Sequence, residues 1–152
     1  SLEFNIGDAT NIMIYPAHSF THITCLNDTI YYIKDSNHLI NNVYEWLMPG
    51  GYFILSLDTD VKNIKLTNKN KELFTNFSYR KNNEIKNNLI LINETFKDDI
   101  GHVRKQQHEI NINSTENILQ NAKDTGFIIQ GEFLLSPVNY SNKKIYLLYK
   151  PE

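Results

Sequence analysis

The chain has 152 residues, 15 Lys and Arg against 17 Asp and Glu, with 41% hydrophobic and 12% aromatic side chains, which fits one soluble domain with a core better than a disordered tail. A formal charge of -2 leaves no basic footprint for neutralising many phosphates, so a sequence-independent nucleic-acid binder is disfavoured. The lone Cys25 excludes an internal disulfide framework and a cysteine-based zinc site, no run of about 18 apolar residues is present to span a membrane, and the expected compartment is the reducing cytoplasm.

Leu2, Phe4 and Ile6 alternate with Glu3 and Asn5 before Gly7-Asp8 breaks the run, which predicts a short strand with Asp8 just past its carboxyl end. Phe20, Ile23, Cys25 and Leu26, bounded by Asn27-Asp28, predict a second strand buried on both faces. Asp35 and Ser36 offer N-cap oxygens, and Leu39, Ile40, Val43, Tyr44 and Leu47 recur at helical spacing up to a stop at Pro49-Gly50-Gly51. Tyr52 to Leu57 follows as a continuous apolar run, the pattern of a central parallel strand, so strand, helix and strand read as one crossover unit.

From about 58 to 112 the pattern loosens into what reads as an insertion on the substrate side. Lys62, Lys65, Lys69 and Lys71 interleave with Asn, and Asn88 to Phe96 and Val103 to Ile112 predict the strands of a hairpin. Asn113 with Glu116 resembles a capping box, Ile118, Leu119 and Ala122 give one helix face, and Gly126 is its stop. Phe127 to Val138 and Lys144 to Tyr149 predict a terminal antiparallel pair.

Read in order, Leu2 to Thr10 with its Gly-Asp-Ala turn, Phe20 to Leu26, Trp46-Leu47-Met48-Pro49-Gly50-Gly51-Tyr52-Phe53, and Ala122 to Phe127 resemble the third strand onward of class I S-adenosylmethionine-dependent methyltransferases. The resemblance implies an α/β, Rossmann-like sheet over residues 1–152, mainly parallel with a terminal antiparallel hairpin and incomplete at its amino end. It implies methyl transfer with S-adenosylmethionine as cofactor; the acceptor is not legible in the sequence, and a small molecule is favoured over protein or RNA. The family's glycine-rich loop and the acid of its second strand have no counterpart here, so the resemblance also implies a missing amino-terminal half or a partner chain. The alternative is a non-catalytic, methyltransferase-like module that pairs with another chain.

The same resemblance makes Asp8, Ala9 and Thr10 candidates for cofactor contact, Asp8 as acceptor for the adenine amino group, and places Thr24, Cys25 and Leu26 beneath the methyl donor. Asn27, Tyr31 and Tyr32 are the candidates for the acceptor side. Each has a plainer reading, a turn aspartate for Asp8, a small buried residue for Cys25 and half-buried aromatic packing for the tyrosines. His22 reads as a strand histidine rather than a base. Glu94, Asp98 and Asp99 could orient an acceptor amine or lie on a solvated face. The spacing of His102, His108 and Glu109 fits no ligand motif, and no metal is expected.

Overall fold

A computed structural model describes residues 3–58, 69–74, 77–135 and 143–152. In chain order the strands are β1 (Phe20–Cys25), β2 (Leu47–Asp58), β3 (Lys69–Phe74), β4 (Phe77–Lys86), β5 (Leu89–Asp98), β6 (Val103–Asn111), β7 (Ile128–Leu134) and β8 (Lys143–Tyr149). The helices are α1 (Thr29–Tyr32), α2 (Ser36–Trp46) and α3 (Thr115–Thr125). They form two compact units, residues 1–59 with 114–152, and residues 60–113. Among the described residues no helix is long and apolar enough to cross a membrane.

The first unit is a four-stranded sheet in the order β1-β2-β8-β7. β1 and β2 run parallel because α1 and α2 carry the chain back between them, while β8 lies antiparallel to both β2 and β7. The α2 N-terminus is fixed by the Asp35 carboxylate, which accepts the N–H of Asn37 and of His38 at 3.1 Å each. Leu39, Ile40, Val43 and Trp46 then form one buried stripe. In α3 the Ser114 hydroxyl accepts the Asn117 N–H at 3.2 Å, and Gly126 at φ +118 ends the helix. A Cβ at Gly126 would lie 2.8 Å from the Tyr44 hydroxyl. The two helices lie side by side, with the Thr125 hydroxyl donating to Asn41 Oδ1 at 2.9 Å. Beneath them Phe53, Leu55 and Leu57 of β2 and Leu148 of β8 are fully buried, each contributing about 1.5–3 kcal/mol of apolar burial.

Lys150, at the end of β8, crosses back to α2. The side chain is buried, and Nζ donates to the carbonyls of Tyr44 at 2.7 Å and Leu47 at 2.9 Å while lying 4.5 Å from the Tyr44 ring centroid. The ammonium thus satisfies carbonyls that the helix end leaves without intrahelical donors.

Several expectations need correction. The sheet of the first unit is mixed rather than mainly parallel, because a single helical crossover yields a single parallel pair and the terminal hairpin docks antiparallel. Residues 3–8 form no strand: Phe4 and Ile6 are exposed, with no neighbouring ladder to hold the alternation, and Leu2 lies outside the described residues. β1 is an edge strand of this sheet among the described residues, so Thr21, His22 and Thr24 are exposed and the strand is not buried on both faces. Leu47 leaves the helix with φ -73 and ψ 139 while its N–H still bonds Val43, so β2 begins there and runs through Pro49-Gly50-Gly51 without a loop. Ser114, one residue after Asn113, is the α3 cap. Lys62 and Lys65 and the segment 136–142 lie outside the described residues.

The second unit is an antiparallel sheet in the order β3-β4-β5-β6. The β5–β6 hairpin follows the sequence reading, whereas β3 and β4 add two strands that were read as loose. In β4 the alternation of Phe77, Tyr79 and Ile85 is broken by Arg80, Lys81, Asn82, Asn83 and Glu84 in succession.

Candidate functional site

In open α/β sheets ligands bind beyond the carboxyl ends of parallel strands. In the first unit the carboxyl end of β1 opens onto a cavity of about 310 Å³. Thr24, Cys25 and Leu26 line it from the strand, and Val43 and Trp46 from α2. Gly7, Ala9, Ile14 and Tyr15 line it from the segment that precedes β1.

That segment is not part of the sheet, so something else must hold it. The buried Asn42 side chain of α2 donates from Nδ2 to the Ala9 carbonyl at 3.0 Å, and one turn later Trp46 Nε1 donates to the Ile12 carbonyl at 2.9 Å. Tyr15 stands edge-on to Phe20 at 4.9 Å and to Trp46 at 5.5 Å. The turn itself is closed by Asp8, whose carboxylate accepts the Thr10 N–H at 2.9 Å and the Thr10 hydroxyl at 2.8 Å. These bonds, the backbone one first, hold the Asp8 carboxyl below its ordinary range, so it is anionic at neutral pH. Asp8 remains exposed to solvent.

Of the residues singled out from sequence, Ala9, Thr24, Cys25 and Leu26 line one cavity, and Asp8 and Thr10 flank Ala9 in the turn beside it. Burial pushes the Cys25 thiol up to about 11 against the opposing Ile30 N–H, so at neutral pH it is a protonated wall residue and not a nucleophile. Asn27, with Asp28, takes the left-handed conformation at φ 55 and 63 in the turn that leaves β1, and Asp28 pairs with Lys143. Tyr32 is half exposed. Tyr31 is buried: its hydroxyl accepts the Asp58 N–H at 3.1 Å and donates to the Asp58 carbonyl at 3.3 Å, and burial pushes its pKa up to about 12. It brackets the end of β2 from inside the fold. His22 stacks on Tyr52 at 5.5 Å on the exposed side of β1.

Sequence reasoning missed Tyr15, Thr29 and Asn42. Asn42 had a usable signal, because it adjoins the apolar stripe of an amphipathic helix and a buried amide there demands a partner. Tyr15 had none, since its neighbours come from β1 and from the far end of α2.

A family model described as "Putative S-adenosyl-L-methionine-dependent methyltransferase" matches residues 7–126. No curated protein matches the chain. An S-adenosylmethionine-dependent methyltransferase from Clostridium acetobutylicum superposes with a TM-score of 0.78 at 19% identity, covering 97% of this chain and 64% of that one. The CcbJ methyltransferase from Streptomyces caelestis gives 0.74 at 10% identity over 97% and 63%. An amino pentose methyltransferase from Micromonospora echinaspora, solved with S-adenosylmethionine bound, gives 0.66 at 11% identity over 95% and 63%. At these identities the structures establish a shared fold, and the chain spans 64% of the length of the Clostridium protein. S-adenosyl-L-methionine is the cofactor of the matched family. Because the match runs from Gly7 in the wall of the cavity to Gly126 at the end of α3, the chain belongs to the family of S-adenosyl-L-methionine-dependent methyltransferases.

Proposed function

We propose that the protein carrying this chain transfers a methyl group from S-adenosyl-L-methionine to a small molecule, and that the cavity at the end of β1 holds the adenine side of the donor. The observation that carries this reading is the cavity itself, apolar on its walls, sited beyond β1 and bounded by a turn whose carboxylate stays ionised. Its residues fit the group. A planar base needs apolar walls, which Ala9, Leu26 and Trp46 supply, and an acceptor for its amino hydrogens, which Asp8 supplies after serving Thr10, since a carboxylate has about four lone-pair positions. When bound, the donor supplies an electrophilic methyl group on a sulfonium. What the chain contributes is alignment and exclusion of water, through a wall fixed by Asn42 and Trp46 and a floor of Thr24 and Cys25. Asn27 and Tyr32, exposed beyond β1, are the acceptor-side residues of this reading, and Tyr31 positions the end of β2.

A small-molecule acceptor is favoured by the neighbours named as an amino pentose methyltransferase and a sugar N-methyltransferase. The 152 residues by themselves are expected to bind the donor weakly, because the glycine loop and ribose acid of the family have no counterpart in them. Calorimetry with S-adenosyl-L-homocysteine tests the reading on the gene product that contains this chain. Micromolar binding is expected, weakened about tenfold or more by Asp8→Ala, the effect of one lost bond to a charged group. Unchanged affinity in that variant removes Asp8 from the site, and no binding by the parent removes the function.

A further inference from the structure

The second unit has two unlike faces. Strand alternation and the β4–β5–β6 register put Tyr79, Phe96 and Arg104 in one row, Lys81, Glu94 and Gln106 in the next, and Asn83, Ile92 and His108 in the third. The opposite face carries Arg80, Asn82, Glu84, Thr95, Lys97, Lys105 and Gln107, with Leu91 and, at the end of the sheet beside the cavity, Val103.

The opposite face holds a Gln107–Asn93 amide bond at 2.9 Å and a Lys86–Glu84 ion pair at 3.4 Å, whereas the first face adds aromatic rings to its polar bonds. Phe96 packs on Tyr79 with ring centroids 5.0 Å apart. The Tyr79 hydroxyl donates to Glu94 Oε1, and the other carboxylate oxygen lies 3.3 Å from His108 Nε2. At the end of the sheet the Asp98 carboxylate accepts the His102 N–H at 2.7 Å and meets its Nδ1 at 3.0 Å. Beside these groups is a cavity of about 300 Å³, at the lower end of the range for small-molecule sites. Phe77, Phe96 and Val103 give it apolar walls, and Asp98, Arg104 and Gln106 give it polar edges.

The chemistry of that lining narrows the ligand. Asp98, already paired with the lining residue His102, and Arg104 are of opposite sign, so the lining is not a cluster of one charge. The polar groups are planar and offer both donors and acceptors, a fork from Arg104, an amide from Gln106 and carboxylate lone pairs from Asp98. Next to them lie aromatic rings. A sugar ring has the matching surface, one face of C–H bonds to rest on an aromatic ring and an edge of hydroxyls that donate and accept.

We propose that this cavity of the second unit binds a sugar-like, hydroxyl-rich ring. The binding is a property of the second unit alone and does not rest on the methyltransferase reading. Titration of the ¹⁵N-labelled full chain with methyl glucoside, methyl galactoside, methyl mannoside and glucosamine tests it. At least one should give saturable shifts at the amides around Phe77, Phe96, Asp98 and Arg104. Arg104→Gln, at an exposed position that should not disturb folding, and Phe96→Leu should each weaken that binding about tenfold, and Glu84→Gln on the opposite face, away from the lining, should leave it unchanged. The proposal is overturned if none of the four binds at these residues or if Arg104→Gln binds as tightly as the parent sequence. It is also overturned if adenosine or cyclohexanol occupies the cavity as well as the sugars do, which would make it a site for a flat or apolar group. Because no donor is present, these failures are distinguishable from loss of S-adenosyl-L-homocysteine binding in the first unit.

Discussion

Replacing Lys150 by Met tests the packing of the first unit at its most exacting point. Methionine keeps the length and apolar stem of lysine and deletes only the ammonium. Two donated bonds vanish, at 2.7 and 2.9 Å, and the carbonyls of Tyr44 and Leu47 are left buried at the end of α2. Each stranded acceptor costs about 1–3 kcal/mol, and loss of the cation over the Tyr44 ring adds about 1 kcal/mol. Against this stands relief of the penalty for burying a charge, so the net loss should be about 2–4 kcal/mol. Trp46 is the chain's single tryptophan and sits at the end of α2, so its fluorescence in urea reports this unit. With m of about 2 kcal/mol/M the midpoint should fall by roughly 1–2 M at unchanged m. A loss below about 1 kcal/mol would show that water reaches both carbonyls and that Lys150 is no clamp.

Leu47→Ala should cost about 2–5 kcal/mol in the same assay, since Leu47 is fully buried at the junction of α2 and β2. Gly126→Ala should destabilise by at least about 1 kcal/mol, because the residue combines φ +118 with a Cβ position 2.8 Å from the Tyr44 hydroxyl, and removing that hydroxyl with Tyr44→Phe should recover part of the loss. The Cys25 thiol is raised from 9.0 to about 11 in the fold, so at pH 8 it should react with iodoacetamide about 100-fold more slowly than in the urea-unfolded chain. The same shift has a definite sign in stability. The unfolded thiol loses its proton first, so the contribution of Cys25 is present below pH 9 and is lost as pH rises towards 11, and Cys25→Ala should flatten that part of the urea-midpoint profile.

What could be read from the sequence depended on whether an element announces itself locally. α2 and α3 did, through an N-cap oxygen, an apolar stripe and, for α3, a terminal glycine. β2 did through its unbroken run from Tyr52 to Leu57. Alternation misled at Phe4 and Ile6, because a strand needs a neighbour to bond with, and a period of two says nothing about whether one is present. It was broken in β4 by a run of charged and amide side chains, and the strand's place is set by pairing with β5. Of the cavity lining, Ala9 and Thr24 to Leu26 were singled out through the order of motifs, while the partners that Asn42 and Trp46 hold lie more than 30 positions away and leave no local trace.

The two bonds that fix the wall before β1 have a consequence for how this cavity can diversify. Asn42 and Trp46 grip the main-chain carbonyls of Ala9 and Ile12, and no side chain of the wall takes part in either bond. The position of the wall is therefore written in the helix, and its chemistry in the segment. Substitutions at Ala9 or Ile14 can reshape the lining while both anchors stay in place, whereas a change at Asn42 or Trp46 removes one anchor whatever residues the segment carries. An engineer seeking altered ligand preference has in Ala9 and Ile14 two lining positions whose side chains take no part in either anchoring bond.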